Sequence, residues 1–233
     1  MKPLLFKDLG IIEYKEAWDI QENIFNNIIN TKINNRNNPT NDQAETESHL
    51  FFCEHNHVYT LGKSGDINNL LINSIQLKGV DATFYKTNRG GDITYHGPGQ
   101  IVGYPVIDLD VYSPNIHQYI YNIEEVIILT LNEYNLKAER LKGATGVWLD
   151  VNSLHPRKIC AIGVKTSRWV SMHGWAFNVN TDLKYFDYIN PCGFVDKGVT
   201  SLEKELKSKI DIDEVKLKLK KYFEIVFKTK LVG

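Results

Sequence analysis

A glycine-dense segment between Arg89 and Gln100 constrains this chain more than any other feature. It reads RGGDITYHGPGQ, and four of its twelve residues are glycine. Because glycine tolerates positive φ and has no side chain, such a segment can turn tightly and bring its backbone N–H groups close to a ligand. A hairpin connection usually needs only about two to five residues. The sequence therefore predicts a binding loop that runs directly into an apolar strand at residues 101–107.

Two side chains of this segment add chemistry to the predicted backbone cradle. Arg89 is a fixed cation, and His96 is of the residue type that ordinarily titrates near neutral pH. Placed at either end of the glycine segment, they predict polar recognition or proton transfer beside the loop.

Composition and charge exclude several classes of protein. The 233 residues are 42% hydrophobic and 24% charged, which is the ordinary range for a globular chain able to bury a core without disulfides. The net charge of −1 provides no general basic surface, so we expect no nucleic-acid partner. Three widely spaced cysteines favour a reducing compartment. Without a signal-peptide core or an apolar stretch of transmembrane length, we expect a cytoplasmic protein and no membrane partner.

Hydrophobic periodicity predicts the α+β class, with mixed and antiparallel sheets and flanking helices. Amphipathic helices are expected from Tyr14 to Ile28 and over residues 115–134, with a surface loop at 34–47. A first strand is predicted at residues 4–6. The strands predicted at 49–53, 58–61, 83–86 and 101–107 are expected to make one sheet, and a second group is predicted at 146–151, 158–164 and 175–179. Thr200 with Glu203, and Asp211 with Glu214, have the spacing of capping boxes. We predict one catalytic domain over residues 1–233, with residues 200–233 as a small helical appendage.

Three short patterns suggest other functions and are rejected. Gly62-Lys63-Ser64 would be a phosphate-binding loop only if a glycine stood where His57 stands. Cys53, His55 and His57 alternate along a possible strand, but no further nearby ligand completes a tetrahedral metal site. A single Arg-Gly-Gly without basic flanks lacks the charge of an RNA-binding element. We therefore expect no metal site and no nucleotide site at these positions.

The cysteines and one lysine require separate interpretation. Cys160 lies in an apolar strand, where a cysteine is usually a small buried hydrophobe. Cys192 stands between Pro191 and Gly193 in a predicted bend, where local context leaves a reactive and an unreactive thiol equally open. Lys158 begins a strand, and by local context alone it could be a solvated lysine at a sheet edge.

Four ordered blocks resemble the lipoyl(octanoyl) transferase family. They are the segment from Arg89 to Pro105, EHNHVYTLG from Glu54, KICAIG from Lys158, and HGWAFNVN from His173, which leads to NPCG at Asn190. Together they cover most of residues 54–193, so chance agreement is improbable.

The resemblance implies a fold, a reaction and a set of site residues. The fold would be biotin/lipoyl ligase-like. The reaction would move an octanoyl group from the phosphopantetheine of acyl carrier protein, through a thioester on Cys192, to a lysine of apo lipoyl domains, the first step of endogenous lipoate synthesis. Lys158 would lower the thiol pKa and act as general acid and base. His55 and residues 58–62 would form a wall and scaffold beside the acyl site. The implied substrate-binding residues are Arg89, Gly90, Gly91, Asp92, Ile93, Thr94, Tyr95, His96, Ala161, Ile162, Gly163, Gly174, Trp175 and Ala176.

The resemblance also implies partners and leaves two alternatives. The acceptors would be lipoyl domains of 2-oxoacid dehydrogenase E2 subunits and the glycine cleavage H protein, the enzyme a monomer, and no cofactor, ATP or metal would be needed. An ATP-dependent lipoate or biotin protein ligase of the same fold would explain the glycine segment but leave Cys192 without a role. A non-catalytic module binding acyl groups or lipoyl domains would have no use for Lys158 and Cys192.

Overall fold

Two β-sheets form the centre of the fold, and their strands are either alternately apolar and polar or apolar throughout. The computed structural model describes residues 2–38, 43–113, 115–190 and 197–233. Within these ranges the strands are β1 (Pro3–Ile11), β2 (His49–Glu54), β3 (Val58–Leu61), β4 (Thr83–Lys86), β5 (Ile93–His96), β6 (Gln100–Val106), β7 (Ala138–Leu141), β8 (Ala144–Leu149), β9 (Arg157–Ser167), β10 (Val170–Asn178), β11 (Gly198–Val199) and β12 (Lys230–Val232).

The helices are α1 (Tyr14–Asn37), α2 (Ser74–Gly79), α3 (Leu109–Tyr112), α4 (Ile116–Asn132), α5 (Leu202–Leu206) and α6 (Ile212–Phe227). Two 3₁₀ helices lie at Ile67–Asn69 and Leu183–Tyr188. Several begin at a side-chain cap: Asn115 accepts a hydrogen bond from the Gln118 N–H at the start of α4, and Asp211 accepts from the Glu214 N–H at the start of α6. These caps satisfy backbone donors that a helix N-terminus leaves without partners.

In the described part of the chain the strands form a nine-stranded sheet and a three-stranded sheet. The large sheet has the order β12-β1-β2-β6-β10-β9-β8-β7, and β11 pairs with β9. Strand β1 runs parallel to both of its neighbours, whereas β6, β10, β9 and β8 pair antiparallel. The small sheet has the order β4-β3-β5.

Alternation along the central strands gives the large sheet two buried faces. Leu50 and Phe52 of β2 face a core shared with α4 and α6, while Phe51 and Cys53 face a second core under α1. This is the period of two that a pleated strand imposes. The α+β class with mixed sheets and flanking helices is therefore confirmed.

Two details of the predicted sheets and helices are wrong. The first group of predicted strands does not form one sheet, because β6 pairs with both β2 and β10 and leaves β3, β4 and β5 as a separate sheet. Helix α1 runs on to Asn37, four residues into the predicted loop, and the Asn35 side chain bonds both backbone groups of Ala44.

The end of the chain is joined to the main core. Ser201 precedes helix α5, and its side chain accepts a hydrogen bond from the Lys204 N–H, so Ser201 and not Thr200 is the capping residue. Leu219 and Phe223 of α6 belong to the same core as Leu50 and Phe52 of β2, which is the main core of the protein. Strand β12 pairs with β1. The division into a domain with an appendage at residue 200 stays a prediction. None of the described helices has both the length and the apolar character that a membrane span requires.

Candidate active site

A cavity of about 250 Å³ lies between the large sheet and the segment that follows Arg89. Its floor is made by neighbouring strands β9 and β10, where Ala161 pairs with Ala176 and Gly163 pairs with Gly174. Side chains of one or no carbon atoms at paired positions leave a shallow apolar trough on the sheet. Such a trough suits an extended alkyl group better than a bulky ring.

Most of the predicted site residues meet at this cavity. Those that line it are Arg89, Gly91, Asp92, Ile93, Thr94, His96, Lys158, Ala161, Ile162, Gly163, Gly174, Trp175 and Ala176. Gly90 and Tyr95 are not among the lining residues. The Gly90 N–H is bonded to the Val164 carbonyl oxygen, and the Tyr95 ring packs with Tyr59 and Phe186 in the core beneath the small sheet.

The glycine segment is not one loop but a strand between two turns. Strand β5 occupies its centre, and the turns lie at residues 89–92 and 97–99. The first turn is fastened to the residues after β3, since the N–H groups of Gly62, Lys63 and Ser64 donate to the carbonyl oxygens of Asp92, Arg89 and Gly91. A Cβ atom on Gly62 would lie 2.2 Å from the Gly91 carbonyl oxygen, so only glycine permits this contact.

Arg89 stabilises the first turn through hydrogen bonds to Thr60 of β3 and to the Gly90 carbonyl oxygen. Its guanidinium donates to the Thr60 hydroxyl oxygen at 2.9 Å, to the Thr60 carbonyl oxygen at 2.6 Å and to the Gly90 carbonyl oxygen at 3.0 Å. The side chain is 7% exposed, so these bonds supply part of the pairing that a buried charge needs. Arg89 therefore shapes the cavity wall as well as lining it.

His96 does not have the chemistry that its residue type predicts. Its Nδ1 donates at 2.8 Å to Gln100 Oε1, because the Gln100 amide nitrogen is committed to the Tyr95 carbonyl oxygen and to Asn178 Oδ1. Burial lowers the pKa of His96 to about 3, with His55 adding to the effect. The expectation of a group titrating near neutrality is wrong, since desolvation outweighs the single neutral acceptor. His96 is a neutral structural donor.

Two further buried histidines, His55 and His173, lie beside or at the cavity. His55 sits behind the cavity wall, with its Nε2 2.7 Å from the Tyr104 hydroxyl. His173 lines the cavity and donates through Nε2 to Asn88 Oδ1 at 2.7 Å, while its buried Nδ1 has no partner among the described residues. Burial lowers the pKa of His55 to about 4 and that of His173 to about 3. All three rings are neutral at pH 7.

The Cys53, His55 and His57 trio is divided by the fold. Cys53 Sγ lies 3.5 Å from His55 Nε2, but the His57 ring stacks on Tyr185 with centroids 4.0 Å apart. The described residues contain no group of three or more His, Cys, Asp or Glu side chains that could hold a metal ion.

An irregularity in strand pairing turns Lys158 toward the cavity. Val147 of β8 pairs with Cys160 of β9, and the next residue, Trp148, pairs with Lys158. Ile159 therefore has no pairing partner on β8 and is the extra residue of a β-bulge. Ile159 and Cys160 are consequently both fully buried in the main core. In a regular strand Lys158 would share the face of Cys160; the bulge places it on the face of Ala161 instead.

The two described cysteines are poor nucleophiles. Cys53 and Cys160 are both completely buried, and burial raises the pKa of each thiol. Core packing of Cys160 is thus confirmed. Pro191, Cys192 and Gly193 lie outside the described residues. On either side of them, Asn190 donates its N–H to the Asn69 carbonyl oxygen, and Val199 pairs with Lys158 and lines the cavity.

Some cavity residues were not predicted as site residues. They are Tyr14, Gln100, Val102, Tyr104, Gly143, Ala144, Thr145, His173, Asn178, Phe186 and Val199. Gln100, His173 and Asn178 stand inside the sequence blocks quoted above, and as polar residues in apolar runs they could have been chosen. Tyr14 gives no such signal, because its position is that of any apolar residue on a helix face.

Comparison with known proteins identifies the family. Residues 13–224 match the family model of the lipoyl protein ligase A/B catalytic domain. Because the match covers most of the sequence, the chain belongs to this family, and the resemblance seen in the sequence is confirmed.

Individual relatives agree with that assignment. The chain is 57% identical to an octanoyltransferase of Christiangramia forsetii over 99% of this chain and 98% of that protein. It is 49% identical to an octanoyltransferase of Bacteroides thetaiotaomicron, covering 94% of this chain and 92% of that protein.

Solved structures share the fold at low identity. A bi-partite lipoate protein ligase of Thermoplasma acidophilum superimposes with a TM-score of 0.65 at 17% identity, covering 100% of this chain and 88% of that one. A lipoate-protein ligase A bound with ATP gives 0.66 at 16% identity, covering 100% and 87%. The biotin/lipoyl ligase-like fold is therefore confirmed.

Proposed function

We propose that the chain is an octanoyltransferase that moves an octanoyl group from acyl carrier protein to a lysine of apo lipoyl domains, through a thioester on Cys192. The observation that carries this proposal is the position of Lys158 at a cavity whose floor is the paired Ala161–Ala176 and Gly163–Gly174 trough. A basic residue beside a narrow apolar trough fits acyl transfer. The octanoyltransferase relatives at 49–57% identity support the choice of acyl group.

In the first half-reaction the Cys192 thiolate attacks the thioester carbonyl of octanoyl-acyl carrier protein. A carbon–sulfur bond forms to Cys192, and the bond to the phosphopantetheine sulfur breaks. An unperturbed thiol has a pKa of about 8.5, so a nearby ammonium is needed to hold enough thiolate at neutral pH. Lys158 supplies that ammonium and then gives its proton to the departing phosphopantetheine thiolate.

In the second half-reaction the acceptor lysine must lose a proton before its amine can attack the acyl-enzyme. Lys158, now neutral, accepts that proton. The amine forms an amide with the octanoyl carbonyl carbon, and the Cys192 thiolate leaves and is restored to its starting state. Conversion of a thioester to an amide is downhill, so the reaction requires no ATP, metal or other cofactor.

The binding roles of the remaining residues follow from the same placement. The octanoyl chain lies on the small-residue floor, and the residues from Arg89 to His96 form the opposite wall. Asn190, two residues before Cys192, is bonded to Asn69, whose side chain donates to Asp92 of the cavity at 2.6 Å. The proposed partners are acyl carrier protein and the lipoyl domains of 2-oxoacid dehydrogenase E2 subunits and the glycine cleavage H protein.

An assay with both protein substrates separates this function from the ligase alternative. Purified enzyme, octanoyl-acyl carrier protein and an apo lipoyl domain are mixed with and without ATP, and the lipoyl domain is weighed by mass spectrometry. We expect octanoylation without ATP and no AMP release. Strict dependence on ATP, with AMP formed in step with product, would assign the chain to the ligases. Binding of octanoyl-acyl carrier protein or of the lipoyl domain without turnover would assign it to the non-catalytic modules.

A further inference from the structure

Trp148 is a fully buried aromatic residue for which the proposed reaction has no role so far. It is 2% exposed, and its Nε1 donates to the Ala144 carbonyl oxygen at 3.0 Å, which fixes the plane of the indole. The Lys158 Nζ atom lies over this ring, 4.6 Å from its centroid. That distance is within the range of a cation–π contact, for which tryptophan is the strongest partner.

The strand pairing explains why the two side chains meet. Val147 and Leu149 face the main core, so Trp148 between them faces the other side of the sheet. The bulge at Ile159 brings Lys158 to that same side and directly opposite Trp148 in the ladder. Without the extra residue the lysine would turn toward the core and away from the ring.

A second irregularity in strand pairing lies beside the Lys158 side chain. Arg140 pairs with Val147 and Leu141 with Ala144, so Thr145 and Gly146 are extra residues on β8. A Cβ atom on Gly146 would lie 3.4 Å from Lys158 Cε and 2.6 Å from the Cys160 carbonyl oxygen. The Gly146 N–H, drawn out of regular pairing, donates to the buried Glu124 Oε1 at 3.1 Å, and Arg140 pairs with Glu124.

We propose that Trp148 is a positioning residue for Lys158, holding its Nζ at the cavity by a cation–π contact. This rests on the proposed role of Lys158. A carboxylate in the same place would stabilise the ammonium strongly and so oppose release of its proton, which a group that acts as acid and then as base must give up. An indole face also fixes the position of the ammonium but stabilises it less, so Lys158 gives up its proton more readily than it would beside a carboxylate.

Several charged side chains lie on the described elements around this pair. Titratable groups occur on both strands of the pair and on the elements around them. They are Glu124 and Glu125 of α4, Glu139 and Arg140 of β7, Lys142 after β7, Asp150 after β8, Arg157 and Cys160 of β9, Lys197 before β11 and Glu205 of α5. Arg157 pairs with Asp150 and Glu205, and Arg140 pairs with Glu124 and Glu125. Most of the acidic groups are thus already matched by an arginine.

Competitive labelling of the lysine measures the contact without turnover. The full-length protein is acetylated with trace acetic anhydride across a pH series, and the midpoint for Lys158 is read from its peptide by mass spectrometry. Loss of the ring in Trp148→Leu is expected to lower that midpoint by about half a unit to one and a half units, because the ammonium loses its stabilisation. The Lys158 midpoint of Trp148→Phe is expected to lie between those of Trp148→Leu and the wild type.

A packing role for Trp148 predicts a different result. Tryptophans carrying one to four ring fluorines, placed at position 148 by nonsense suppression, keep the shape of the indole and weaken the negative potential of its face. We expect the midpoint to fall in step with the number of fluorines. Leu149→Ala, on the same strand but facing the core, is the matched control: it should lower stability and leave the midpoint unchanged. A midpoint that is flat across the fluorinated series overturns the proposal, even if Trp148→Leu fails to fold.

The labelling also separates this inference from the proposed function. A shifting midpoint in a protein that transfers no octanoyl group would keep the contact and reject the reaction. Normal transfer with a flat midpoint would reject the positioning role alone.

Discussion

Lys158 has two duties in the proposed reaction: electrostatic support of the Cys192 thiolate, and proton transfer. Substitution can separate them, because arginine keeps the charge but cannot lose a proton in a protein. Lys158→Arg is expected to preserve much of the alkylation rate of Cys192 at neutral pH, whereas Lys158→Ala should shift that pH profile upward. The rate of iodoacetamide labelling of Cys192 measures this first duty.

The second duty is isolated by starting from enzyme already acylated on Cys192. Single-turnover transfer to an apo lipoyl domain should slow by roughly 100-fold to 10,000-fold in both variants, because neither offers a base to the acceptor amine. Transfer near the wild-type rate by Lys158→Ala would remove Lys158 as the base.

At the scale of elements, the contact between the turn at residues 89–92 and the residues after β3 is the wall of the cavity. Gly62→Ala would drive a Cβ atom to 2.2 Å from the Gly91 carbonyl oxygen, and backbone rather than a flexible side chain must move. We expect a loss of about 1–3 kcal/mol in the free energy of unfolding and slower octanoyl loading.

Gly79→Ala is the matched control for that prediction. A Cβ atom there has no neighbour within 4 Å, so stability and loading should stay near the wild-type values. Urea denaturation and the rate of octanoyl loading are the two measurements. Equal behaviour of the two alanine variants would show that the Gly62 contact does not shape the cavity.

Sequence pattern was sufficient for the elements whose signal is local. The ranges of β3 and β4 match the predictions residue for residue, and the Asp211 cap is where the spacing placed it. The glycines on both sides of β5 predict a loop over its four residues, and that prediction is wrong. The bulge at Ile159 could not be predicted, because it depends on which residue of β8 each residue of β9 faces. Yet that bulge decides whether Lys158 reaches the cavity.

At the scale of the whole molecule, three buried neutral histidines link folding to pH. Burial holds the pKa of His55 at about 4 and those of His96 and His173 at about 3, against 6.5 for an unburied histidine. Below about pH 6.5 the unfolded chain therefore binds more protons than the folded one, and stability falls as pH falls toward the folded values. Above that pH these histidines no longer change the free energy of unfolding as the pH rises.

Urea denaturation between pH 7.5 and pH 5 tests this linkage. These three histidines alone give a slope that approaches roughly 4 kcal/mol per pH unit, and burial also lowers the pKa of His49 and of His57, which adds to the slope. His55→Gln should reduce the slope by roughly 1.4 kcal/mol per pH unit. His117→Gln, at an exposed position of α4, should leave the slope unchanged. A free energy of unfolding that does not vary over this range would contradict the buried neutral histidines.

The sequence predicted which residues line the cavity better than it predicted their protonation states. Family resemblance named Lys158 and the Ala161 and Gly174 segments, and the structure brings them to one cavity. Desolvation of His96 was invisible in the sequence, because burial comes from elements far apart in the chain. Cys192 keeps the role that the resemblance implies as a proposal.

The acyl-enzyme on Cys192 can be detected by intact-protein mass spectrometry followed by peptide mapping. The enzyme is mixed with octanoyl-acyl carrier protein in the absence of ATP and acceptor, and then chased with an apo lipoyl domain. We predict one octanoyl group on the peptide that contains Cys192, which disappears as the lipoyl domain gains the same mass. An octanoyl group on Cys53 or Cys160, or full turnover by Cys192→Ala, would exclude Cys192 as the acyl carrier.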